Sequence, residues 1–493
     1  MIFTMRAIME ETKVIGRTEE KKILLHYENT EKSEFVAVYG RRRVGKTFLV
    51  RETLKDYLDF EFTGMYEMPG KIQRREFQNE INKKTGAKKI EISDWFEIFD
   101  NLKNYLLSLN QEKVTVFLDE LPWMDTRKSN FLAALSQFWN TWGNNKPYLK
   151  LYVCGSATTW MLNKLVGDKG GLYGRISRAI YLAPFNLRET REYLNDIKDM
   201  NFGNRQVLDA YMIFGGIPYY LDMLDHELPL SINVDKLLFA ENAPLRTEFE
   251  FLFRSLFNES TNYRKVVEFL SKKLKGMTRD EISENLHISG GELSRILKNL
   301  QACDFIRSYS APNSKERNKL YQLTDMFSLF YLRFVEKNSG QDEHYWTNNG
   351  ENGKKNTWAG YAFEQVCLHH LRQIKTRLGI SGILSNAYAW STRPYKDSSG
   401  NSWKGGQIDL IIDRSDNVMN LCEMKYSDDE FIIDKGYAET IRNRTENFRH
   451  KEKCRKDLRC TFVTLYGVKQ NKYSGIVDNQ IRLDDLFAEV IEP

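Results

Sequence analysis

Short runs of apolar residues recur in the first third of the chain, and polar or glycine positions follow each of them. The runs cover residues 35–39, 114–118 and 149–154, and this length is typical of buried strands. Residues 94–106 differ, because apolar positions 95, 96, 99, 102, 105 and 106 recur at helical spacing behind an aspartate that can cap the helix. Strands that alternate with helices predict an α/β domain built on a parallel sheet.

The pattern changes to short amphipathic helices over residues 261–309. Thr278 and Glu281 have the spacing of a capping box, and a turn at His287 leads into a further helix. This order predicts a helix-turn-helix. Two stretches, 305–309 and 320–323, are predicted as the strands of a wing. The loop between them contains three basic residues, Lys315, Arg317 and Lys319.

The last third begins after a polar stretch, residues 340–357, which is rich in glycine and asparagine and is predicted as a linker. The helix predicted from residue 358 has one acidic residue, Glu364, among apolar neighbours. Residues 405–413 predict a strand with Asp409 embedded in it, and residues 418–422 predict a paired strand that leads into Glu423-Met424-Lys425. Three groups of elements are therefore expected along the chain.

Composition and charge exclude some classes of protein. Hydrophobic residues make up 41% and charged residues 28%, which is typical of soluble globular chains. No apolar run approaches the ~18 residues of a membrane span. The start has no signal-peptide pattern and the six cysteines form no CxxC pair, so we expect a cytoplasmic protein that has no membrane partner. The net charge of +5 does not by itself imply a nucleic-acid partner.

Residues 40–47 read Gly-Arg-Arg-Arg-Val-Gly-Lys-Thr and lie between a predicted strand and a predicted helix. The glycines let the backbone curl so that its N–H groups face phosphate oxygens, and the helix N-terminus adds a partial positive charge. We expect Lys46 to reach the β- and γ-phosphates and the Thr47 hydroxyl to coordinate Mg²⁺. The motif predicts a nucleoside triphosphate site.

Asp119 and Glu120 follow the predicted strand 114–118. Acidic residues at the carboxyl end of a parallel strand lie where open α/β sheets bind ligands. Asp119 is expected to hold Mg²⁺ through water, and Glu120 to polarise the attacking water as a general base. Ser156 follows the third predicted strand, and its role remains open between sensing the γ-phosphate and capping the next helix.

These motifs resemble those of the AAA+ and STAND-type ATPases described as predominantly archaeal. Residues 14–20, with Gly16 and Arg17, look like the opening box that lies near the adenine in that family. Residues 174–175 look like the arginine that follows the sensor strand, and residues 215–218 look like the Gly-x-Pro element of the helical lid. The resemblance covers about residues 10–330 and implies that the chain binds and hydrolyses ATP with Mg²⁺.

The resemblance leaves several roles open. Arg175 would stabilise charge on the transferred phosphoryl group, in cis or from a neighbouring subunit of a homo-oligomer. The alternatives are a surface ion pair, or the same role for Arg178. Pro218 also fits the first position of a helix. The winged helix either packs as a lid on the nucleotide domain or contacts DNA through its second helix, which offers Arg295 and Lys298.

Glu364, Asp409 and the Glu423-x-Lys425 pair occur in the order of the PD-(D/E)xK nuclease superfamily, which the last third resembles, although Ile408 replaces the leading proline. Asp409 and Glu423 on adjacent strands are expected to bind Mg²⁺, with Glu364 completing the site. Lys425, on the same strand face as Glu423, would orient or deprotonate the attacking water. The alternative is a catalytically inactive domain that only binds a partner.

A basic stretch follows these residues. Residues 441–459 contain eight Lys or Arg and three acidic residues, and a basic helical stretch beside a phosphodiester site would attract DNA or RNA. A solvated helix face is the alternative. Trp390 and Trp403 are candidates for base stacking, although core packing also explains them.

We therefore expect an α/β protein with a three-layer P-loop ATPase domain (10–185), a helical lid (186–258), a winged helix (259–338), a linker (339–357) and a nuclease-like domain (358–493). The residues expected at the nucleotide are Gly16, Arg17, Gly40, Arg41, Arg42, Arg43, Val44, Gly45, Lys46, Thr47, Phe48, Asp119, Ser156 and Pro218. The expected catalytic residues are Lys46, Glu120, Arg175, Glu423 and Lys425. The expected metal ligands are Thr47, Asp119, Glu364, Asp409 and Glu423.

Overall fold

The computed structural model of the chain describes residues 14–87, 92–145, 147–167, 171–172, 174–257, 260–273, 276–309, 319–338, 342–349 and 353–490. The chain divides into two units. The first is Met1–Ala183 with Ser255–Asn258, and the second is Pro184–Arg254 with Glu259–Pro493. Within the described ranges, no helix has the length and apolar character needed to cross a membrane.

The first unit contains a parallel sheet of five strands. These are β1 (Glu34–Tyr39), β2 (Leu58–Thr63), β3 (Lys113–Asp119), β4 (Tyr148–Gly155) and β5 (Arg178–Tyr181), in the order β2-β3-β4-β1-β5. Its helices are Thr18–Glu28, Lys46–Leu54, Gly70–Thr85, Trp95–Ser108, Leu121–Met124, Phe131–Phe138 with its continuation Trp139–Gly143, and Thr158–Trp160 with its continuation Met161–Val166. The predicted α/β fold with a parallel central sheet is confirmed.

The helix Trp95–Ser108 shows why the periodic apolar pattern predicted a core helix. The Asp94 side chain accepts a hydrogen bond from the Glu97 backbone N–H at 3.0 Å, which caps the helix start. Trp95 is fully buried and lies edge-on to Phe131, with 4.9 Å between ring centroids. Phe99 stacks on Phe138 at 5.1 Å. The helix therefore covers the sheet with aromatic side chains, as its sequence predicted.

The second unit begins with a group of helices. They are Leu187–Glu192 with its continuation Tyr193–Ile197, Asn204–Phe214, Pro218–Asp222, Leu230–Val234 with its continuation Asp235–Phe239, and Glu248–Leu256. The turn at residues 215–216 needs glycine, because Gly215 and Gly216 have φ of 72° and 64°. A Cβ on Gly216 would lie 2.2 Å from the Phe185 carbonyl oxygen. Pro218 then occupies the first turn of its helix.

Three helices and three short antiparallel strands follow. The helices are Ser260–Leu270, Arg279–Leu286 and Gly290–Ala302, and the strands β6 (Met277–Thr278), β7 (Ile306–Tyr309) and β8 (Leu320–Leu323) pair in the order β6-β8-β7. Thr278 and Glu281 form the predicted capping box. Of the three basic residues predicted in the wing loop, Lys315 and Arg317 lie outside the described residues.

The last part of the chain forms a separate five-stranded sheet. Its strands are β9 (Ser385–Thr392), β12 (Gly406–Arg414), β13 (Val418–Lys425), β14 (Asp457–Thr464) and β15 (Asn479–Arg482), in the order β15-β14-β13-β12-β9. β12 is antiparallel to β9 and β13, whereas β14 is parallel to β13 and β15. A small hairpin pairs β10 (Tyr395–Lys396) with β11 (Ser402–Trp403). The accompanying helices are Met326–Phe330 with its continuations Tyr331–Val335 and Glu336–Asn338, Tyr345–Asn348, Gly353–His369, Leu371–Arg377, Lys435–Lys451, and the short 3-10 turns Ser474–Ile476 and Leu483–Phe487.

The structure differs from the predicted linker. Two helices, Tyr345–Asn348 and the first turn of Gly353–His369, lie inside residues 339–357. The Asp235 carboxylate accepts hydrogen bonds from the backbone N–H groups of Trp346 (2.8 Å) and Thr347 (3.0 Å). Trp346 also packs edge-on against Trp358. Polar composition suggested a linker, but a capping carboxylate from a distant helix and an aromatic anchor order this segment.

The basic stretch 441–459 is also not one helix. The helix Lys435–Lys451 contains its first half, and Lys453 has a positive φ of 51° that ends the helical path. β14 begins soon afterwards, at Asp457. The chain must turn here because β14 joins the sheet beside β13, which is a tertiary requirement that local charge does not reveal.

Candidate functional sites

The loop between β1 and the helix Lys46–Leu54 has the backbone shape that its glycines predict. Gly40 has no room for a side chain, because a Cβ there would lie 2.3 Å from the Leu182 carbonyl oxygen. Gly45 has a φ of 88° and is the residue immediately before the helix. Lys46 is buried, and its Nζ donates to the Arg41 carbonyl oxygen at 2.9 Å. The Lys46 ammonium therefore donates to the same loop that is expected to hold the phosphates.

Thr47 and Asp119 meet at the carboxyl edge of the sheet. The Thr47 hydroxyl donates to Asp119 Oδ2 at 2.9 Å, and the Glu120 backbone N–H donates to Oδ1 at 3.0 Å. Burial first, and the Glu120 carboxylate second, raise the pKa of Asp119. A hydroxyl beside a buried carboxylate is a donor set that suits Mg²⁺, so the two residues fit the predicted metal.

The contact between Glu120 and Ser156 was not predicted. Glu120 Oε2 accepts hydrogen bonds from the Ser156 hydroxyl (2.8 Å) and from the Ser156 backbone N–H (3.1 Å). Ser156 is buried at the end of β4. Of the two roles left open for Ser156, capping of the next helix is not observed, because Ala157 precedes that helix and no side chain caps it. Ser156 instead holds the predicted general base.

The remaining residues predicted near the nucleotide differ in their surroundings. Arg17 is buried, and its Nη2 donates to the Ala183 carbonyl oxygen at 2.7 Å. Arg41 and Val44 are buried in the loop, while Arg42 and Arg43 are half-buried and Phe48 is exposed. Gly16 has a positive φ of 57° directly before Arg17. These residues lie in the first unit, whereas Pro218 belongs to the second.

Arg175 lies at the opposite end of the parallel strands from the phosphate loop. β5 is parallel to β1, with Val36 beside Arg178 and Tyr39 beside Tyr181. The turn that contains Arg175 precedes β5, whereas residues 40–47 follow β1. At ~3.3 Å per residue, the length of the four-residue strand β5 alone separates the start of the strands from their carboxyl ends by about 13 Å. Arg175 and its rival Arg178 are both exposed at the start of the strands. The geometry does not support a role for either arginine at the phosphates of its own chain.

The carboxylate cluster, which we define as Glu364, Asp409 and Glu423, forms in the second unit. Leu410 of β12 pairs with Cys422 of β13, so Asp409 and Glu423 are at the same level on adjacent strands. Glu364 comes from the helix Gly353–His369. Lys425 is two residues beyond Glu423, and its Nζ lies 3.7 Å from Glu423 Oε2, as the strand alternation predicted.

The pKa values of the cluster show that its carboxylates interact. Burial first, and Asp409 second, raise the pKa of Glu364 to about 8. Burial first, and Glu423 second, raise the pKa of Asp409 to about 6. Burial would also raise the pKa of Glu423, but Lys425, Arg444 and Tyr437 outweigh burial and lower it. The three acids predicted from separate elements therefore influence one another electrostatically.

Two residues of the helix Lys435–Lys451 complete the surroundings of Glu423. The Tyr437 hydroxyl donates a short hydrogen bond to Glu423 Oε2, and Arg444 Nη2 lies 3.0 Å from the same oxygen. Sequence reasoning missed both residues as site members. A signal exists, since they are seven residues apart, which is two helical turns, on the helix that follows the Glu-x-Lys strand.

β7 brings two further residues towards the cluster, and no local motif indicates them. Arg307 interacts electrostatically with Glu364, and Tyr309 with both Asp409 and Glu364. Arg307 Nε donates to the Gln322 side-chain oxygen at 2.8 Å, and Gln322 in turn donates to the Tyr361 hydroxyl at 3.1 Å. Tyr361 is three residues before Glu364 on the same helix face. The cluster is thus supported from outside its own sheet.

The chemistry of the cluster suits a divalent metal, although its present spacing does not reproduce a ligand set. In the part of the chain that the structure describes, no three His, Cys, Asp or Glu side chains are grouped at metal-binding distances. The carboxylate oxygens of Asp409 and Glu423 are nevertheless the donor type that Mg²⁺ prefers. Arg444 and Tyr437 bind Glu423 Oε2, so a cation would compete with them for that oxygen.

The two tryptophans that sequence could not assign have different positions. Trp390 is buried, lies edge-on to Phe448, and donates from Nε1 to Glu452 at 2.8 Å, so core packing explains it. Trp403 is only half-buried and stacks on the His450 ring at 4.4 Å. Only Trp403 keeps a surface on which a base could stack.

The parallel sheet, the phosphate loop after β1 and the acidic pair after β3 define the first unit as a P-loop ATPase domain. Residues 15–224 match the family described as an ATPase domain predominantly from Archaea. The chain therefore carries an archaeal-type P-loop ATPase domain, a class that uses ATP and typically Mg²⁺. The match ends at residue 224, so the carboxylate cluster lies outside it.

Relatives and solved structures similar to this chain extend further along it. An uncharacterized protein of Methanocaldococcus jannaschii is 25% identical over 425 residues, covering 84% of this chain and 88% of that protein. The Walker-type ATPase of Pyrococcus abyssi is 19% identical with a TM-score of 0.46, covering 65% of this chain and 96% of that one. The ORC2 protein of Aeropyrum pernix is 15% identical with a TM-score of 0.43, covering 67% of this chain and 95% of that one.

Proposed function

We propose that the chain hydrolyses ATP in its first unit and cuts nucleic-acid phosphodiester bonds, with a bound divalent metal, at the carboxylate cluster. The observation that carries the second part is the position of Asp409 and Glu423 at the same level on adjacent strands, with Lys425 beside Glu423 and Glu364 interacting electrostatically with both acids. Glu423 is buried while Glu364 and Asp409 are half-buried, and residues so far apart in the sequence have no common structural need to place three acids near one another. Such groups of perturbed acids occur preferentially at functional sites.

In the ATPase site, contacts within the chain support the proposed roles. Lys46 would exchange the Arg41 carbonyl for the β- and γ-phosphates, and Thr47 with Asp119 would hold Mg²⁺, which would neutralise phosphate charge. Glu120 accepts a proton from the water that attacks the γ-phosphorus, while the bond from that phosphorus to the oxygen of the β-phosphate breaks and ADP leaves. Ser156 positions Glu120 through its two hydrogen bonds. Arg175 serves only a nucleotide bound by a neighbouring chain, which requires a homo-oligomer.

In the nuclease-like domain, Asp409 and Glu423 would hold the metal and Glu364 would complete the site. When bound, the metal would polarise the scissile phosphate as a Lewis acid. Lys425 orients the water whose oxygen forms the new bond to phosphorus, and the departing ribose or deoxyribose oxygen takes up a proton. Tyr437 and Arg444 hold the Glu423 carboxylate in place, and a bound metal would share or replace these contacts.

We propose that residues 259–338 are a winged helix that supports the nuclease-like domain. The alternative is that the helix Gly290–Ala302 binds DNA. We favour the supporting role because Arg307 and Tyr309 of β7 interact electrostatically with the carboxylate cluster. That helix exposes Arg295 and Lys298 but also carries Glu292 near its start.

A second candidate is a nucleotide-controlled switch whose last domain binds a partner without cutting it. The observation that favours it is the pairing of Glu423 with Arg444 and Tyr437, which already satisfies the central carboxylate without a metal. Both candidates share the ATPase domain, so only the chemistry of the cluster distinguishes them.

The test is cleavage of labelled linear, circular and single-stranded DNA and RNA, with Mg²⁺ or Mn²⁺, with and without ATP. Lys425→Ala and Glu423→Gln are compared with Lys435→Ala, which removes an exposed lysine from the next helix. We expect metal-dependent cutting that both cluster variants abolish and Lys435→Ala retains. If the wild-type chain hydrolyses ATP but cuts none of these substrates, the nuclease is refuted and the switch is supported.

A further inference from the structure

Three aromatic rings lie nearly parallel beside the basic helix Lys435–Lys451. We call Tyr395, Trp403 and His450 the aromatic platform. Trp403 stacks on His450 with 4.4 Å between ring centroids and 17° between planes. Tyr395 is 6.3 Å from each of the other two, at 9° to Trp403 and 22° to His450. Two of the rings come from the hairpin β10–β11 and one from the helix, so the shared orientation is a tertiary arrangement.

Hydrogen bonds hold the platform rigidly. Trp403 Nε1 donates to Asp397 Oδ2 at 3.0 Å, and His450 Nε2 lies 3.6 Å from the same oxygen. The Tyr395 hydroxyl donates to the Asn447 side-chain oxygen at 3.2 Å. The rings are nevertheless not part of the core, since 43% of the His450 side chain is exposed. Tyr395 and Trp403 are half-buried, and parallel rings that are held by polar contacts and partly exposed are suited to stacking.

The surroundings of the platform are basic. Lys451 Nζ lies 4.1 Å from the centre of the Tyr395 ring, and Lys396 and Lys404 of the hairpin are exposed, as is Arg449 of the helix. Residues 442–453 contain five Lys or Arg and two Glu. Aromatic faces interleaved with cations match the chemistry of an unpaired nucleotide chain, which offers flat bases and anionic phosphates.

The same helix connects the platform to the carboxylate cluster. Arg444 Nη2 lies 3.0 Å from Glu423 Oε2. Arg444 is six residues before His450, and this separation corresponds to about 9 Å along the helix axis. Asn447, between them, donates to the Lys404 carbonyl oxygen at 2.6 Å, and Arg444 donates to that of Gln407 at 3.1 Å. A nucleic-acid strand bound at the aromatic platform would therefore pass close to the carboxylate cluster.

We propose that Tyr395, Trp403 and His450 bind unpaired bases of a single-stranded nucleic acid, while Lys451 and the neighbouring cations bind its phosphates. This inference rests on the proposed function, because it names the form of nucleic acid that the nuclease-like domain takes. Duplex DNA keeps its bases stacked on one another, so it binds through the cations alone and less tightly.

The experiment measures binding by fluorescence anisotropy, with the full-length chain, in EDTA so that no cleavage occurs. The probes are a labelled single-stranded DNA, the RNA of the same sequence, an abasic strand of the same length and the DNA duplex. Trp403→Leu removes the ring, whereas Trp403→Phe keeps a ring but loses the hydrogen bond to Asp397. Tyr473→Ala, a half-buried tyrosine of the same domain with Lys472 over its ring, is the matched control.

We expect Trp403→Leu to weaken single-strand binding by about tenfold or more, and Trp403→Phe and Tyr473→Ala to weaken it much less. The abasic strand should bind the wild-type chain at least as weakly as the intact strand binds Trp403→Leu, because it offers no base to any of the three rings. The DNA and RNA probes show which sugar is preferred. Circular dichroism of each variant confirms that the domain is folded.

Three results would overturn the inference. They are unchanged single-strand affinity in folded Trp403→Leu, equal loss in Trp403→Leu and Trp403→Phe, and an abasic strand that binds as tightly as the intact one. Equal loss would assign Trp403 to holding the hairpin through Asp397. Because binding is measured without metal, a chain whose single-strand affinity depends on the Trp403 ring but that cuts nothing refutes the nuclease and supports the platform.

Discussion

Replacing Ser156 by alanine removes one of the two hydrogen bonds that hold the Glu120 carboxylate. The hydroxyl bond of 2.8 Å is lost, and the backbone N–H bond of 3.1 Å to the same oxygen remains. Glu120 then keeps its place at the end of β3 but rotates more freely about its side-chain bonds. Because Glu120 is proposed to accept a proton from the attacking water, this freedom reduces the fraction of molecules that are ready to react.

The expected magnitude follows from the type of bond. A hydrogen bond to a charged group contributes about 1.5–3 kcal/mol. We take the lower end, about 1.5 kcal/mol, because the backbone bond persists. If this loss is felt in the transition state, kcat falls roughly tenfold, since each ~1.4 kcal/mol is a factor of ten. KM for ATP should stay within about twofold, because Ser156 bonds to the base and is not proposed to bind the nucleotide.

The assay is steady-state ATP hydrolysis with Mg²⁺ by wild-type, Ser156→Ala, Ser156→Thr and Ser177→Ala chains. Threonine restores the hydroxyl and should restore most of kcat. Ser177 accepts a hydrogen bond from the Phe35 backbone N–H at the opposite edge of the sheet, so its loss should leave kcat unchanged. An unchanged or higher kcat in Ser156→Ala would refute the positioning role. A higher KM with the same kcat would instead assign Ser156 to nucleotide binding.

Three further predictions concern stability. Lys150 is fully buried, and its ammonium lies within hydrogen-bonding distance of four oxygens, so Lys150→Met should lower the unfolding free energy by about 3 kcal/mol in urea titrations. No change would refute the need for its charge. Burial lowers the pKa of His370 to about 4, below the ~6.5 of a histidine in an unfolded chain. The contribution of His370 to the free energy of unfolding is therefore fully present above pH 6.5, and it decreases by up to about 3 kcal/mol as the pH falls towards 4. His370→Gln, which can still accept the Leu187 backbone N–H bond, should show a shallower fall in melting temperature over that pH range than wild type, and parallel curves would exclude His370 as the cause. Tyr426→Phe removes the hydroxyl that donates to Asp209 at 2.9 Å and should cost about 1 kcal/mol in the same titrations, whereas an unaltered midpoint would show that Arg205 alone satisfies that carboxylate.

Several features were predictable because they depend on neighbours in the sequence. The turn at residues 40–47 needs glycine where φ is positive, and the capping boxes need an oxygen three residues before the N–H that it binds. Trp95–Ser108 was predictable because apolar spacing reports directly which helix face is buried. The class of the first unit, a P-loop ATPase domain, followed from such local signals and is confirmed by the family match.

The contacts that complete each site depend on the order in which strands pair. Ser156 contacts Glu120 only because β4 lies beside β3. Arg175 lies at the end of the strands away from the phosphate loop only because β5 runs parallel to β1. β5 itself has four residues, too few to produce a periodic signal. Arg307 interacts with Glu364 across a sequence separation that no local pattern spans.

Local sequence therefore determined which backbone turns, caps and buried faces this protein has, because those depend on steric and hydrogen-bonding rules within a few residues. It also supplied the acids and bases for both sites. Only the tertiary structure decided which of them meet, because burial and pairing are settled by strand order and helix packing. Glu423 shows this most clearly: its own strand predicted Lys425 as a neighbour, but the helix Lys435–Lys451 brought Tyr437 and Arg444 to the same oxygen.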